Sequence, residues 1–439
     1  MKKLTPLPII DRLYLGILLV IFGGIVLHAP LSVALGTLFR HYDLLIKSWK
    51  EILMGVALAL VGVIIWRERR SDILKEPLMV GLQIYAGLHV LSAPIFRVGV
   101  GATLAGIMID LRYVLFFTLV YLAVRLFPQF RRPFIRIGII GALIVVVFAL
   151  LQVFILPADI LKYLGYNTHN IAPYLTVDQN HQYIRINSTL RGPNPLGAYA
   201  VIVLASLGAW LVGKRPKIAR KQALTVAVLL LGGIVALWAS YSRSALIAAL
   251  AAVIVIVSAT VLPKLSRRAW ILTGVVVFAI VGGLIASSKT SVVSNVLLHE
   301  NPAGGSGSTV NSNEGHLSSL KDGMLMLIHQ PFGSGVGSTG SASLMTKAPL
   351  IIENQYLFVA HEVGWLGLIL FLMIFIGVMN RLWQRRGNWL ALGVFASGIG
   401  LAIIGLLLPV WVDDTVSIVW WGLAAFIIGG GEYERHQVN

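Results

Sequence analysis

The chain has 439 residues, of which 57% are hydrophobic and only 12% charged, with no cysteine and 35 Lys and Arg against 18 Asp and Glu. A mean hydropathy of +0.84 excludes a soluble globular domain and points to a polytopic membrane protein, while the lack of cysteine excludes a disulfide framework, a thiol nucleophile and a thiolate metal site. The net charge of +17 falls in short clusters between apolar runs, as orientation signals do, so it calls for no nucleic-acid partner.

Met1 to Arg12 carries Lys2, Lys3 and Arg12 ahead of an apolar run. No small-x-small cleavage site follows, so the segment is expected to persist as the first span. A span needs about 17 to 25 apolar residues. Such runs occur at 13–30, 52–66, 78–96, 103–127, 134–156, 196–212, 223–240, 245–262, 270–286, 355–379, 389–408 and 416–431.

The loops between these runs alternate in charge, an independent check on the assignment. One side collects Arg67, Arg69, Arg70 and Lys75, then Arg125, Arg131, Arg132 and Arg136, then Lys214 to Lys221, then Lys264, Arg267 and Arg268, then Arg381, Arg385 and Arg386. By the positive-inside rule that side, with both termini, is cytoplasmic. The expected fold is an all-α polytopic membrane protein, a single integral membrane domain over 1–439. It has about twelve transmembrane helices and a long extracytoplasmic loop between the ninth and tenth.

The opposite face receives the outer loop 157–195 and the large outer loop 287–354, and chemistry is expected there. Pro157, Pro173, Pro193 and Pro195 stiffen the first, and Gly304-Gly305-Ser306-Gly307-Ser308 loosens the second. Leu317, Leu320, Met324, Leu327 and Ile328 have the spacing of an amphipathic surface helix over Glu314 to Ile328.

Four groups of residues could carry chemistry. Arg185 and Arg191 precede Pro193-Asn194-Pro195 at the start of a span. Guanidinium forks beside free helix N–H groups suit a phosphate or oxyanion, and equally a lipid headgroup. Arg243 sits in the short turn Tyr241-Ser-Arg-Ser244, where a charge held near the membrane favours function over anchoring. Asp110 and Arg112 lie deeper, in the fourth span, and two residues apart they do not face one another. Pairing of each with another span is one reading, a substrate-binding cation at Arg112 the other. Gln330 to Gly340 is glycine-rich and could present backbone N–H groups at Gly335 and Gly337 to an anion, or could form a tight return turn. It lacks the Gly-Lys-Ser/Thr of a P-loop.

Last comes Glu353-Asn-Gln-Tyr-Leu357, followed by His361-Glu-Val-Gly-Trp-Leu-Gly367. A carboxylate at a membrane rim can take a proton from a hydroxyl nucleophile if partial burial lifts its pKa from about 4.3 toward neutrality. Glu353 is the first candidate base, with Glu362 and His361 in reserve. Zinc protease chemistry is set aside because the position that would need a second His is Trp365. His169, His181, His299, His316 and His329 show no metal-ligand spacing.

In this order and on one membrane face, these motifs resemble the O-antigen ligase superfamily, which includes Wzy-type polysaccharide polymerases and bacterial O-oligosaccharyltransferases. The resemblance covers roughly residues 100 to 410 and rests on Arg185 with Pro193 and Asn194, Ser242-Arg243, Gly333 to Gly340, Asn354-x-Tyr356-Leu357 and Glu362-x-Gly364-x-x-Gly367. Ligases usually place His before the Asn, where this chain has Glu353. The resemblance therefore supports the superfamily more than the ligase label.

It implies a GT-C-like architecture and an inverting, metal-independent glycosyltransferase in the plasma (inner) membrane. Such an enzyme would move a glycan from an undecaprenyl-diphosphate-linked donor to a glycan, lipid or protein acceptor, with no cofactor. Glu353, Arg243 and Arg185 are the expected catalytic residues. Arg191, Asn194, Asn354, Tyr356, Gly335, Gly337, His316 and Arg112 are expected to bind substrate. The first outer turn, Ala29 to Glu51, offers a lone Asp43 and no Asp-x-Asp pair for a divalent cation. The rival reading from another class is a twelve-span transporter or flippase of a lipid-linked glycan. No internal repeat of the kind transporters carry is evident.

Overall fold

A computed structural model describes residues 7–177, 180–214, 220–261, 321 and 323–438. The expected span at 270–286, the basic cluster Lys264 to Arg268, the Gly304 to Ser308 arm and His316 lie outside the described residues. Among the described residues, nine helical stretches are long and apolar enough to cross a membrane, and Pro77–Ser92 and Trp389–Ile404 are shorter apolar helices. The chain is a helical polytopic membrane protein. Its described residues divide into two compact units, one from residues 1–142, 315–385 and 404–439, the other from 143–314 and 386–403.

The first unit opens with α1 (Ile9–Gly24), α2 (His28–Leu38) and the short α3 (Asp43–Lys47). It continues through α4 (Trp49–Glu68), α5 (Pro77–Ser92) and α6 (Val100–Leu126). Pro77 at the first turn of α5 supplies a preset φ where the missing N–H costs nothing. Helix α7 runs over Arg131–Phe154, and its first half belongs to this unit. After the large loop come α11 (Gly340–Ser343) and α12 (Gln355–Gln384), and α14 (Asp414–Val438) closes the unit.

Helix α14 is the most enclosed span, with 78% of its apolar window buried, against 33% for α4. Its small residues explain how α6 comes so close: a Cβ on Gly422 would stand 2.7 Å from the Phe116 ring. Close approach of this kind is how helices associate where no water is expelled between them. Aromatic rings fill the rest. Phe22 stacks on Phe134 at 4.0 Å, and Trp411, Trp420 and Trp421 lie 5.1 to 5.7 Å apart. Several charges inside the unit are paired, as low dielectric favours. Arg112 is ion-paired with Asp414, Lys50 Nζ lies 2.9 Å from the same carboxylate, and Arg125 donates to Glu76 at 2.6 Å.

The second unit holds the remainder of α7, then α8 (Pro193–Lys214), α9 (Arg220–Ala239), α10 (Arg243–Thr260) and α13 (Trp389–Ile404). Glycines again set the spacing. A Cβ on Gly197 of α8 would lie 2.7 Å from Ala245 Cβ and 2.8 Å from Ser240 Oγ, and one on Gly400 of α13 would lie 2.7 Å from Ala248 O.

Between α7 and α8 the connection holds a short two-stranded ribbon. Residues Leu175–Val177 (β1) and Asn180–Arg185 (β2) pair antiparallel, with Leu175 opposite Arg185 and Thr176 opposite Ile184. The stretch that follows is fixed by hydrogen bonds. Ser188, at φ 51°, is pinned to α7: its N–H donates to Gln152 Oε1 at 2.9 Å and its hydroxyl to Val145 O at 2.7 Å. Asn187 Nδ2 donates to Ala172 O at 2.8 Å. A left-handed non-glycine residue costs about 1–3 kcal/mol and persists only where such contacts dictate it.

Candidate active site

In the second unit, the anchored ribbon carries Arg185 to the N-terminus of α8 and to the turn between α9 and α10. Arg185 Nε donates to Ser240 O at 3.0 Å and Nη2 to Asn194 Oδ1 at 2.7 Å, while Ile186 N–H donates to Ala239 O at 3.1 Å. The guanidinium is thereby oriented by two directional bonds. Asn194, expected to bind substrate, is spent at its oxygen on holding Arg185. Arg191, three residues earlier, is exposed.

The α9–α10 turn is tight because Tyr241 adopts φ 46°. Ser242 caps the backbone in extended conformation, and Arg243 is the first helical residue of α10. Arg243 is half-buried between the buried Ser242 and Ser244. Helix N-termini carry positive potential from their unsatisfied N–H groups, so Arg185 beside α8 and Arg243 opening α10 each add to a helix end. Tyr241 packs edge-on against Tyr183 at 6.1 Å. Burial, then the neighbouring Tyr183, raises the Tyr241 hydroxyl above the usual phenol range, so it remains a neutral donor.

In the first unit, the glycine turn Gly333 to Gly340 and the start of α12 form one interlocked piece. Helix α12 breaks at Val363 (φ −122°, ψ 16°) and Gly364 (φ 70°, ψ −172°). The carbonyls exposed by the break are met by the turn: Ser334 N–H donates to His361 O at 2.6 Å and Gly335 N–H to Glu362 O at 3.0 Å. In return Trp365 N–H donates to Pro331 O at 3.0 Å. Two N–H groups of the turn that were expected to face an anion are met within the protein. Gly337 N–H donates to Glu362 Oε1 at 3.0 Å, so this donor is already used, as is that of Gly335.

Gly337 is also the tightest position in the turn. Its φ is +85°, and a Cβ there would come within 2.1 Å of Ala102 O on α6. Left-handed strain of about 1–2 kcal/mol adds to overpacking of about 1–3 kcal/mol. Gly337→Ala should therefore lower stability by roughly 2–5 kcal/mol, read as a fall in Tm of the purified protein. An unchanged Tm would mean the turn is not wedged as described.

Beyond the turn the chain folds back on itself. Gly340 N–H donates to Leu350 O at 2.9 Å, and Thr339 Oγ1 donates to Leu350 O at 3.1 Å and accepts from Ile352 N–H at 3.3 Å. Glu353 follows directly and is exposed, where partial burial was expected. Asn354 caps α12, its Oδ1 accepting from Tyr356 N–H and Leu357 N–H at 2.9 Å each while Nδ2 donates to Leu406 O at 2.7 Å. Its side chain is thus committed to the helix start. Tyr356 is half-buried, with its ring 6.4 Å from Phe371.

Arg112 lies away from the turn in the same unit, in the buried network with Asp414 and Glu51. That is the arrangement of a helix-joining ion pair. Two residues gain importance beyond their place in the sequence reading. Gln355 anchors α12, its N–H donating to Gly405 O and its Oε1 accepting from Trp411 N–H at 2.9 Å. Glu362, only 1% exposed, lines a small cavity with Tyr85, His89, Asp110, Tyr113 and Trp411. The Glu-x-Gly spacing marked Glu362; nothing marked its contact 25 residues back with Gly337.

The fold and these two residue groups define a polytopic helical membrane protein with oriented cations at two helix N-termini of one unit and a carboxylate-bearing helix start in the other. Residues 225–372, about a third of the chain, match the family model described as O-Antigen ligase, and this similarity supports an O-antigen ligase/Wzy-type family. The match contains Arg243, the glycine turn, Glu353 and Glu362 to Gly367, and it begins downstream of Arg185, Arg191 and Asn194. No curated protein matches the chain.

Proposed function

We propose that the protein transfers a glycan from an undecaprenyl-diphosphate-linked donor to an acceptor hydroxyl on the extracytoplasmic face of the plasma membrane, with inversion and without a metal. The observation that carries this reading is the clamped Arg185, held by Ser240 O and Asn194 Oδ1 beside the first turn of α8, with Arg243 opening α10. The family match over 225–372 supports the reaction class.

In the reaction, the acceptor oxygen attacks the anomeric carbon, and Glu353 takes the hydroxyl proton. The bond from that carbon to the diphosphate oxygen breaks, and the diphosphate leaves with the electron pair. Arg185 and Arg243 meet the charge that develops on it, with Arg191 assisting at the exposed rim. Preorganised donors are worth most where charge appears only in the transition state. Binding of the acceptor supplies the cover that Glu353 lacks in the free protein, since catalytic contacts commonly tighten only with substrate bound.

The test is purified protein with lipid-linked glycan and acceptor in excess EDTA. Transfer should continue at the rate seen without chelator, and undecaprenyl diphosphate should be released in equal amount to product. Loss of activity restored by a divalent cation would overturn the metal-independent reading. Movement of intact donor without diphosphate release would instead assign a flippase.

A further inference from the structure

Glu362 is the one buried acid in contact with the glycine turn. From the turn, Gly337 N–H donates to its Oε1 at 3.0 Å. On α6, Asp110 is buried and lines the same cavity as Glu362.

The consequence runs along the chain toward Glu353. Gly337 leads into Thr339, whose hydroxyl ties Leu350 O and Ile352 N–H, and Ser343 Oγ ties Leu350 again, donating to its O at 2.9 Å and accepting from its N–H at 3.0 Å. Ile352 is buried while Glu353 beside it is exposed. The carboxylate of Glu353 thus projects from a short segment whose register is held by the turn. The turn in turn is held by Glu362 through one side-chain and one main-chain acceptor.

We infer that Glu362 is a positioning residue: through its side-chain and main-chain oxygens it locks the glycine turn, and through Thr339 it sets the placement of Glu353 toward the acceptor hydroxyl. This rests on Glu353 acting as the base, as proposed above. The requirement is for a hydrogen-bond acceptor at Oε1, so an amide carbonyl can replace the carboxylate, whereas an apolar side chain of equal length cannot.

The experiment compares Glu362→Met, Glu362→Gln, Thr339→Val and Glu353→Gln in the purified full chain. Turnover is measured with lipid-linked donor and acceptor, and amide hydrogen exchange over residues 333–340 and 350–353. Misplacing a catalytic group by about 1 Å costs on the order of 10²-fold, so Glu362→Met should lower kcat by about tenfold to hundredfold. KM for the donor should not change, and both segments should exchange faster. Glu362→Gln should recover most of the turnover and the protection. Thr339→Val, which cuts the path below Glu362, should lower kcat in the same way, and it decides the matter if Glu362→Met does not fold.

Normal kcat and exchange in Glu362→Met, or in Thr339→Val, overturns the inference, and so does a Gln variant as impaired as Met. If Glu353→Gln is inactive while these variants are normal, only the positioning role fails. A fully active Glu353→Gln removes the base assignment and the inference with it.

Discussion

Arg243→Ala and Arg185→Ala are each expected to slow glycan transfer by about 10²- to 10³-fold, the loss seen when one preorganised oxyanion donor is removed. The two should differ in how they fail. Arg185 spends two of its donors inside the protein, on Ser240 O and Asn194 Oδ1, and those bonds aim the rest of the fork. Arg185→Lys keeps the charge but cannot reproduce a planar fork, so it should fall nearly as far as Ala. At Arg243, where the helix N-terminus of α10 supplies additional positive potential, Lys should retain more activity. The measurement is release of diphosphate lipid in a single turnover, so that product dissociation does not hide the chemical step. Wild-type rates in either Ala variant, with normal membrane insertion, would remove that arginine from the reaction.

Glu353→Gln should lower turnover by about 10²- to 10⁴-fold, the range for loss of a general base. Glutamine matches the carboxylate in size and hydrogen-bond reach, so donor binding should be untouched and the loss should fall on kcat. Glu353→His provides the complementary case. Imidazole can accept the proton, and the preceding Ile352 N–H to Thr339 Oγ1 bond that fixes the segment is a backbone contact. Transfer should therefore return in part with His where it does not with Gln. Equal loss in both would mean that Glu353 contributes charge or placement and does not take the proton.

The spans were readable because a bilayer demands a long apolar run and leaves little choice of structure. The run 52–66 sits inside Trp49–Glu68, and 103–127 overlies Val100–Leu126. Even Asp110 and Arg112 do not interrupt that helix, and Arg112 finds a partner in Asp414. What escaped reading depends on contacts distant in sequence. The β1–β2 ribbon has only three residues in one strand and a register shift at Val177, too little alternation to register as a pattern. The break at Val363–Gly364 lies inside a continuous apolar run, where hydropathy reads a straight helix. The turn at Gly333 to Gly340 was legible from its glycines as an anion concavity or a tight return turn. Its contact with Glu362 was not, because Glu362 lies 25 residues onward and only the folded kink brings it back.

That kink also bears on how the protein is made. In hydrocarbon, a broken helix cannot leave its carbonyls bare, because no water is there to meet them. The donors that reach His361 O and Glu362 O come from Ser334 and Gly335, which precede them in the chain. Biogenesis therefore has an order built into it: the segment 331–337 must already be turned before the span beginning at Gln355 can settle into its bent form. Nascent chains stalled with the loop held back should keep that span straight, in register with the bilayer but without the lock on Glu362.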